Sequence, residues 1–125
     1  MKKIAKNWIM QAESDLDSSK YNLEGKKYDV AAYLCQQSAE KGLKALYLNR
    51  NNELWKTHDL VKLASLVDAP KEIIEICNDL NPIYLEDRYP DFSETIPAKK
   101  FTQKEVEEYF KKARKAIIWI KKQLK

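Results

Sequence analysis

The chain has 125 residues, of which 44% are hydrophobic and 34% are charged, and its formal net charge is +4. This length suits one domain, residues 1–125, that buries its own core without metal or disulfide cross-links. No apolar run approaches the roughly 18 residues of a membrane-spanning helix, which excludes an integral membrane protein. The N-terminus leads into an amphipathic pattern and not into an apolar signal sequence, so we expect a cytoplasmic protein.

The first half of the chain is predicted to form two long helices, because few glycines or prolines interrupt it and no stretch alternates as a strand does. The first helix ends at Gly25, and its inward stripe consists of Ala5, Trp8, Ile9, Ala12, Leu16, Ser19 and Leu23. The second is predicted from about Lys27 to Leu48. It carries a broad face of small and large residues, which indicates a central helix that its neighbours approach closely. A polar loop, 49–53, follows.

A short helix is predicted next, with the side-chain oxygen of Thr57 as its N-cap. Its apolar residues are Leu60, Leu63, Ala64 and Val67. Pro70 suits the start of the following helix. The N–H groups of the first turn have no partner within the helix, so the missing N–H of proline costs little there. Pro82 is expected to introduce a kink near the end of that helix.

The helical periodicity is lost from Arg88 to Phe101, which predicts a long loop, and long loops in compact domains are commonly functional. The last helix opens with a capping-box pattern formed by Thr102 and Glu105. Four long helices and one short helix, joined mostly by short connections, predict an all-α fold, an up-down bundle.

The basic excess lies near the C-terminus, in Lys111, Lys112, Arg114, Lys115, Lys121, Lys122 and Lys125. A basic surface of this kind attracts nucleic acid weakly. The residues favour a second interpretation, a solvated helix face that Glu105, Glu107 and Glu108 neutralise from one or two turns earlier.

The two cysteines, Cys35 and Cys77, are far apart in sequence, lie among apolar neighbours and match no CxxC spacing. Buried thiols are therefore expected rather than a disulfide. The chain also has only one histidine, His58. One histidine and two distant cysteines do not form a zinc ligand set, so no metal is expected.

Three polar clusters are candidates for a functional site, and the first lies on the second helix. Its side chains fall on two adjoining ridges, with Gln36, Glu40 and Lys44 on one and Gln37, Lys41 and Lys44 on the other. Small residues beside these ridges indicate a helix packed on most sides, with its polar groups in a cleft or an interface. An ordinary solvent-facing ion pair explains the same spacing, and the sequence leaves both interpretations open.

The second cluster is His58 and Asp59 at the predicted start of the short helix. Histidine is the usual acid or base near neutral pH, and exposed N–H groups at a helix start attract phosphate. Alternatively, Asp59 itself satisfies those N–H groups.

The third cluster is Arg88, Tyr89 and Asp91, with Pro90 between them. Arginine recognises phosphate or carboxylate at two points, tyrosine offers a stacking face and proline fixes a turn. An arginine–aspartate pair that only anchors the loop is the alternative.

Together these residues resemble the HEPN domain of higher eukaryotes and prokaryotes over nearly the whole chain. The resemblance rests on short pieces in a specific order: Trp8 with Ala12 and Asp15-Leu16, Tyr28 and Ala31, the segment from Gln36 to Leu46, His58-Asp59-Leu60, Leu80, Tyr84, and Arg88-Tyr89-Pro90-Asp91. The resemblance implies a helical bundle that usually forms a homodimer. It also implies an association with nucleotide binding, RNA cleavage or a small nucleotidyltransferase encoded nearby, often as a toxin–antitoxin pair.

The ribonuclease members of that family carry an arginine followed, after four to six residues, by a histidine. In them, the histidine acts as a base toward the ribose 2′-hydroxyl and the arginine stabilises the charged phosphorus centre. This chain departs from the pattern. At the allowed spacings Arg88 is followed by Ser93, Glu94 and Thr95, and Arg50 has seven residues between it and His58.

The sequence therefore predicts a non-catalytic module, without a cofactor, that binds a nucleotide and partners a small nucleotidyltransferase. Its expected ligand-binding residues are Gln37, Glu40, Lys41, Lys44, His58, Asp59, Arg88, Tyr89 and Asp91. The first alternative is a metal-independent endoribonuclease toxin that uses His58 and Arg88, with Glu40 or Tyr89, across a dimer. The second is a structural helical adaptor without a small ligand.

Overall fold

The computed structural model describes residues 1–86 and 95–125, and of Glu86 only the backbone. Every element in these ranges is an α-helix: α1 (Lys3–Glu24), α2 (Tyr28–Asn51), α3 (Leu60–Leu66), α4 (Lys71–Leu80), α5 (Ile83–Glu86), α6 (Pro97–Lys100) and α7 (Gln103–Gln123). This confirms the predicted all-α bundle. Helices α1, α2, α4 and α7 are its main members, α3 is the short helix, and α5 and α6 are single turns. Within the described ranges, no helix is both long and apolar enough to cross a membrane.

Helix α2 is the centre of the bundle, with α1, α3 and α7 packed against it. Its small residues make this possible, as Ala31, Ala32 and Ala39 are fully buried. At Gly42, a β-carbon would lie 2.8 Å from Ile117 Cδ1 and so inside contact distance. The predicted close approach to α2 is therefore confirmed.

The helix boundaries agree with the sequence at three places. Gly25 follows the last residue of α1, Pro70 precedes α4, and α7 begins after a complete capping box. In that box Thr102 Oγ1 accepts a hydrogen bond from the Glu105 N–H at 3.2 Å, and the Glu105 carboxylate accepts one from the Thr102 N–H. These boundaries are local, because the residue that stops or starts each helix lies beside it in sequence.

Two predicted boundaries were wrong. Helix α2 continues through Asn51 and ends where Asn52 takes a left-handed conformation, with φ of 54°, which asparagine tolerates better than most residues. The N-cap of α3 is Asp59 and not Thr57. Thr57 Oγ1 instead accepts a hydrogen bond from the Asp59 N–H at 3.1 Å, which shapes the turn before the helix.

The region around the prolines also differs from the prediction. Pro82 lies in a two-residue turn between α4 and α5. The helix therefore ends before Pro82 and a new one begins after it, instead of one helix continuing with a kink. Within the predicted loop from Arg88 to Phe101, residues 97–100 form α6, with Pro97 in its first turn. Residues 87–94 lie outside the described part of the chain.

Both cysteines are buried and unpaired, as predicted. Burial raises the pKa of the Cys35 thiol to about 12, and the hydrogen bond with the Ser19 hydroxyl opposes this shift by a smaller amount. Burial also raises the pKa of Cys77 to about 12, with a smaller contribution from the negative charge of Asp59. These thiols are packing groups and remain protonated at neutral pH.

Candidate functional site

A buried carboxylate on α2 is the centre of the candidate site. Glu40 is only 4% exposed. Its Oε1 lies 3.0 Å from His58 Nδ1 and accepts a hydrogen bond from Gln36 Nε2 at 3.3 Å, while its Oε2 accepts one from Lys44 Nζ at 3.1 Å. We call Gln36, Glu40, Lys44, His58 and Tyr84 the Glu40 cluster. One carboxylate thus connects two ridge residues of α2 with the histidine that precedes α3.

The partners of Glu40 decide which nitrogen of His58 carries a proton. A carboxylate oxygen accepts hydrogen bonds, and the two oxygens of Glu40 already accept them from Gln36 and Lys44. We therefore assign the proton to His58 Nδ1, which donates to Glu40. In the neutral ring Nε2 is then left with a free lone pair, so His58 presents a hydrogen-bond acceptor or a base to a ligand.

His58 is held firmly although its side chain is 54% exposed. The ring of Tyr84 stacks on it, with the ring centroids 4.2 Å apart and the planes inclined by 14°. Glu40 fixes one ring nitrogen and Tyr84 covers one face. A ring that is fixed in this way needs no ordering when a ligand binds, which lowers the entropic cost of binding.

Beside His58 lies an open depression with a volume of about 420 Å³. Its lining residues are His58, Asp59, Asn78, Asn81, Pro82, Tyr84 and Leu85. The exposed Asn78 amide and the aromatic rings give this depression both polar and stacking groups. It is large enough for a planar, base-sized group.

Asp59, the neighbour of His58, has a structural task. Its carboxylate accepts hydrogen bonds from the N–H groups of Val61 and Lys62 and from the side-chain amide of Asn81. The Asn81 side-chain oxygen in turn accepts from the Leu60 N–H at 2.8 Å. The first N–H groups of α3 therefore already have acceptors, which agrees with the alternative interpretation of Asp59 and leaves no free N–H groups there for a phosphate.

The predicted ridge of Gln37, Lys41 and Lys44 is divided between two clusters. Lys44 belongs to the Glu40 cluster, and Gln37 Nε2 joins it indirectly by donating to Gln36 Oε1 at 2.7 Å. Lys41 instead donates to Asp15 Oδ2 on α1 at 2.6 Å. The remaining predicted ligand-binding residues, Arg88, Tyr89 and Asp91, lie outside the described residues.

Sequence reasoning missed the stacking role of Tyr84 and the pairing of Asp15 with Lys41. Both residues stand in the HEPN-like pattern, which was the one signal available for them. In both pairs, Asp15 with Lys41 and His58 with Tyr84, the two residues are 26 positions apart in the sequence. Helical periodicity relates only residues within a few turns, so it could not identify these contacts.

Comparison with known proteins agrees with the fold and the residue pattern. The family model described as "HEPN domain" matches residues 5–123. The protein named "Putative toxin MJ1304" from Methanocaldococcus jannaschii is 29% identical over 137 residues, which cover 98% of this chain and 90% of that protein.

Solved structures show the same architecture. TT1696 from Thermus thermophilus is 30% identical with a TM-score of 0.89, covering 95% of this chain and 97% of the other. ST0689, described as an archaeal HEPN homologue, is 33% identical with a TM-score of 0.86 over the full length of both chains. Since the family model spans nearly the whole sequence, the chain belongs to the HEPN domain family.

Proposed function

We propose that this protein is a non-catalytic HEPN module that binds a nucleotide or nucleotide-like ligand in the depression beside His58 and acts as the helical partner of a small nucleotidyltransferase. One observation carries the nucleotide part of the proposal. The His58 ring is fixed by Glu40 and Tyr84, yet half of its side chain remains exposed at the edge of that depression.

The chemistry of the depression suits the base and the ribose of a nucleotide. The exposed ring of His58 provides a stacking surface for a base. His58 Nε2 accepts a hydrogen bond from a hydroxyl or an exocyclic amine, and the exposed Asn78 amide both donates and accepts.

The phosphate contact is assigned to Arg88, because the first N–H groups of α3 already bond to Asp59 and Asn81. Arg88 follows Tyr84 by four residues in the sequence, and its guanidinium suits two-point recognition of phosphate. Tyr89 and Asp91 remain candidates for the same contact region.

Isothermal titration against ATP and GTP tests the nucleotide part. Wild-type protein should bind at least one of them, and His58→Ala should weaken the affinity about tenfold or more, since it removes both the stacking ring and the acceptor nitrogen. Lys71→Ala is the control, because the side chain of this lysine is 90% exposed, pairs with Glu75 and does not line the depression. Absence of binding at millimolar nucleotide, with and without a candidate partner, would overturn the proposal.

The partner is tested by co-expressing the chain with a small nucleotidyltransferase encoded beside it. Co-purification in a fixed ratio supports the partnership, and separate elution of the two proteins on size exclusion argues against it. The same column with light scattering tests the expected homodimer.

A structural adaptor without a ligand would bind its partner but no nucleotide. The sharing of Glu40 by Lys44 and His58 argues against that alternative, because its polar residues would be scattered.

A metal-independent ribonuclease is a second candidate, and the Glu40–His58 pair favours it. A buried carboxylate that binds Nδ1 leaves Nε2 free to take a proton from a ribose 2′-hydroxyl. The toxin name of the Methanocaldococcus jannaschii relative points in the same direction, whereas the absence of an Arg-x4–6-His pattern weighs against it.

RNA incubated with the protein in the presence of a chelator tests this candidate. Cleavage that is lost in His58→Ala and reduced in Glu40→Gln supports it. Equal cleavage by wild type and His58→Ala would assign the activity to other residues or to a contaminant.

A further inference from the structure

Two hollows between α1 and α7, with volumes of about 390 Å³ and about 250 Å³, are not used by the proposed function. Both are lined by Glu13 and Lys121, so the hollows adjoin, and we call them together the α1–α7 groove. Its apolar floor consists of Ile9, Met10, Leu16, Phe110, Ile117 and Leu124. None of the residues that line the groove lines the His58 depression, so the groove is a separate surface.

The floor of the groove has the spacing that helix packing uses. On α7, Phe110, Ile117 and Leu124 recur every seven residues, and on α1 Ile9 and Leu16 have the same separation. A seven-residue repeat keeps apolar side chains on one side of a helix. From Phe110 to Leu124 the groove is about 21 Å long, at about 1.5 Å per residue. It therefore has the length to receive one further helix of about four turns.

The packing of α1 against α7 leaves part of this apolar surface uncovered. Leu16 and Phe110 are only half-buried. Met10 in the floor is 56% exposed, and Ile118, which also lines the groove, is 47% exposed. Burial of such surface is favourable, so a partner that covers the groove gains binding free energy from it.

The groove also carries most of the positive charge of the chain. Its exposed cationic residues are Lys6, Lys20, Arg114, Lys121 and Lys125. With Glu13 and Asp17 as its two acidic residues, its net charge is +3, whereas the whole chain has +4. Lys121 pairs with Glu13, but among the residues that the structure describes Arg114 forms no ion pair. A partner for this surface is therefore expected to be acidic.

We propose that the α1–α7 groove is a docking site for an acidic amphipathic helix of a partner protein. The apolar side of that helix packs along the floor, and its carboxylates pair with Lys20, Arg114 and Lys125. Proteins that bind a helix in a groove recognise apolar anchors on one side of it. A second copy of this chain does not suit the groove, because a two-fold interface would place the same positive surface against itself.

A synthetic peptide probe tests the inference by fluorescence anisotropy. The probe has about 15 residues, with leucines on one side of the helix and glutamates on the other. It should bind the wild-type protein about tenfold or more tighter than either of two comparison peptides. One of these has lysine in place of glutamate, and the other has the same composition with its leucines dispersed around the helix.

Charge variants of the protein identify the groove as the binding site. Arg114→Glu should weaken binding of the probe about fivefold or more, because an attraction becomes a repulsion. Glu13→Gln should strengthen it about twofold or more, since it removes an acidic group and frees Lys121, and a misfolded protein would not show this gain. Lys62→Glu is the matched control for net charge. Lys62 is exposed on α3 and lines neither hollow, so its reversal should change the affinity less than about twofold.

The apolar contribution is tested with the double variant Met10→Gln, Ile118→Gln. It removes exposed apolar surface without a change of charge, so the probe should bind about tenfold or more weakly. Circular dichroism should show unchanged helix content, because both side chains are exposed. If light scattering shows that this variant converts a dimer into a monomer, the groove is an interface between two copies of the chain and the proposal fails.

The remaining outcomes also decide the proposal. No binding of the probe at millimolar concentration contradicts it. If the dispersed peptide binds as tightly as the probe, the groove is only a charged surface. If Lys62→Glu weakens binding as much as Arg114→Glu, the peptide responds to net charge and not to the groove. These measurements leave nucleotide binding beside His58 to its own test, so the two proposals can fail separately.

Discussion

The Glu40 cluster and the outer face of α7 both contain paired charges, but they differ in burial. In the cluster, the side chains of Glu40 and Lys44 are 5% and 9% exposed. On α7, Lys121 pairs with Glu13 of α1 at 2.9 Å, and these two side chains are 51% and 42% exposed. A buried carboxylate must keep its partners because water cannot replace them, whereas an exposed pair exchanges its partner for water at little cost.

The exposed pairs also differ from the sequence-based expectation. The basic residues of α7 were expected to be neutralised by acidic residues of the same helix, and Lys111 does pair with Glu108. Among the residues that the structure describes, however, most of these pairs join α7 to other helices. Lys112 pairs with Asp79, Lys115 with Glu72 and Lys121 with Glu13. In each of these pairs an acidic side chain partly neutralises a lysine of α7. The pairs therefore weaken the electrostatic attraction of this helix face for nucleic acid.

The largest effect is expected from Glu40→Ala. This change leaves the buried ammonium of Lys44 and the amide of Gln36 without their acceptor, so the free energy of unfolding should fall by about 3–5 kcal/mol. Urea denaturation measures it. Glu40→Gln keeps the shape and serves as the control, with a smaller loss. A loss below about 1 kcal/mol for Glu40→Ala would mean that the cluster is as replaceable as the exposed pairs.

The buried thiols extend the comparison to neutral groups at high pH. Their pKa is raised from 9.0 to about 12 in the folded state, so the folded chain keeps its thiol protons while the unfolded chain loses them. Stability from this source is complete below pH 9 and is lost as the pH rises toward 12. At a pH of about 10.5 the loss should be about 2 kcal/mol per thiol. Thermal melts of wild type and of the Cys35→Ala, Cys77→Ala variant should show a steeper decline for wild type. Parallel declines would exclude the thiols as its cause.

A smaller effect is expected at the exposed N-cap of α3. Asp59→Ala should lower the free energy of unfolding by about 1 kcal/mol, because the N–H groups of Val61 and Lys62 lose their acceptor. Thr102→Ala, which removes the cap of α7, provides a matched comparison with a similar loss. Asp59→Asn preserves the cap, since asparagine caps as well as aspartate. A loss for Asp59→Asn as large as that for Asp59→Ala would assign the effect to charge instead of capping.

The smallest effect is expected from Glu13→Ala, which removes the partner of Lys121. Exposed pairs contribute about 0.2–1 kcal/mol, and salt screens them. Urea denaturation at low and high ionic strength should show a small loss that disappears in high salt. If the loss is larger and persists in salt, the α1–α7 contact depends on this pair more than its exposure indicates.

Much of the candidate site could be predicted from sequence, but not its arrangement. Glu40, Lys44 and His58 were all expected to bind a ligand, and the structure joins them through one carboxylate. Glu40 and Lys44 are four residues apart on one helix, so their pairing follows from helical spacing. His58 lies 18 residues from Glu40. Its contact depends on the path of the chain between α2 and α3, which periodicity does not specify.

The sequence by itself determined the long helices and α3, several of their boundaries, the buried thiols and the family, because caps, breakers and apolar stripes act over a few neighbouring residues. Only the tertiary structure decided that Asp59 and not Thr57 caps α3, that Lys41 pairs with Asp15, and that Tyr84 stacks on His58. Each of these contacts depends on which groups the packed helices bring within a few ångströms. The single histidine of the chain gains its fixed orientation only from residues that packing places around it.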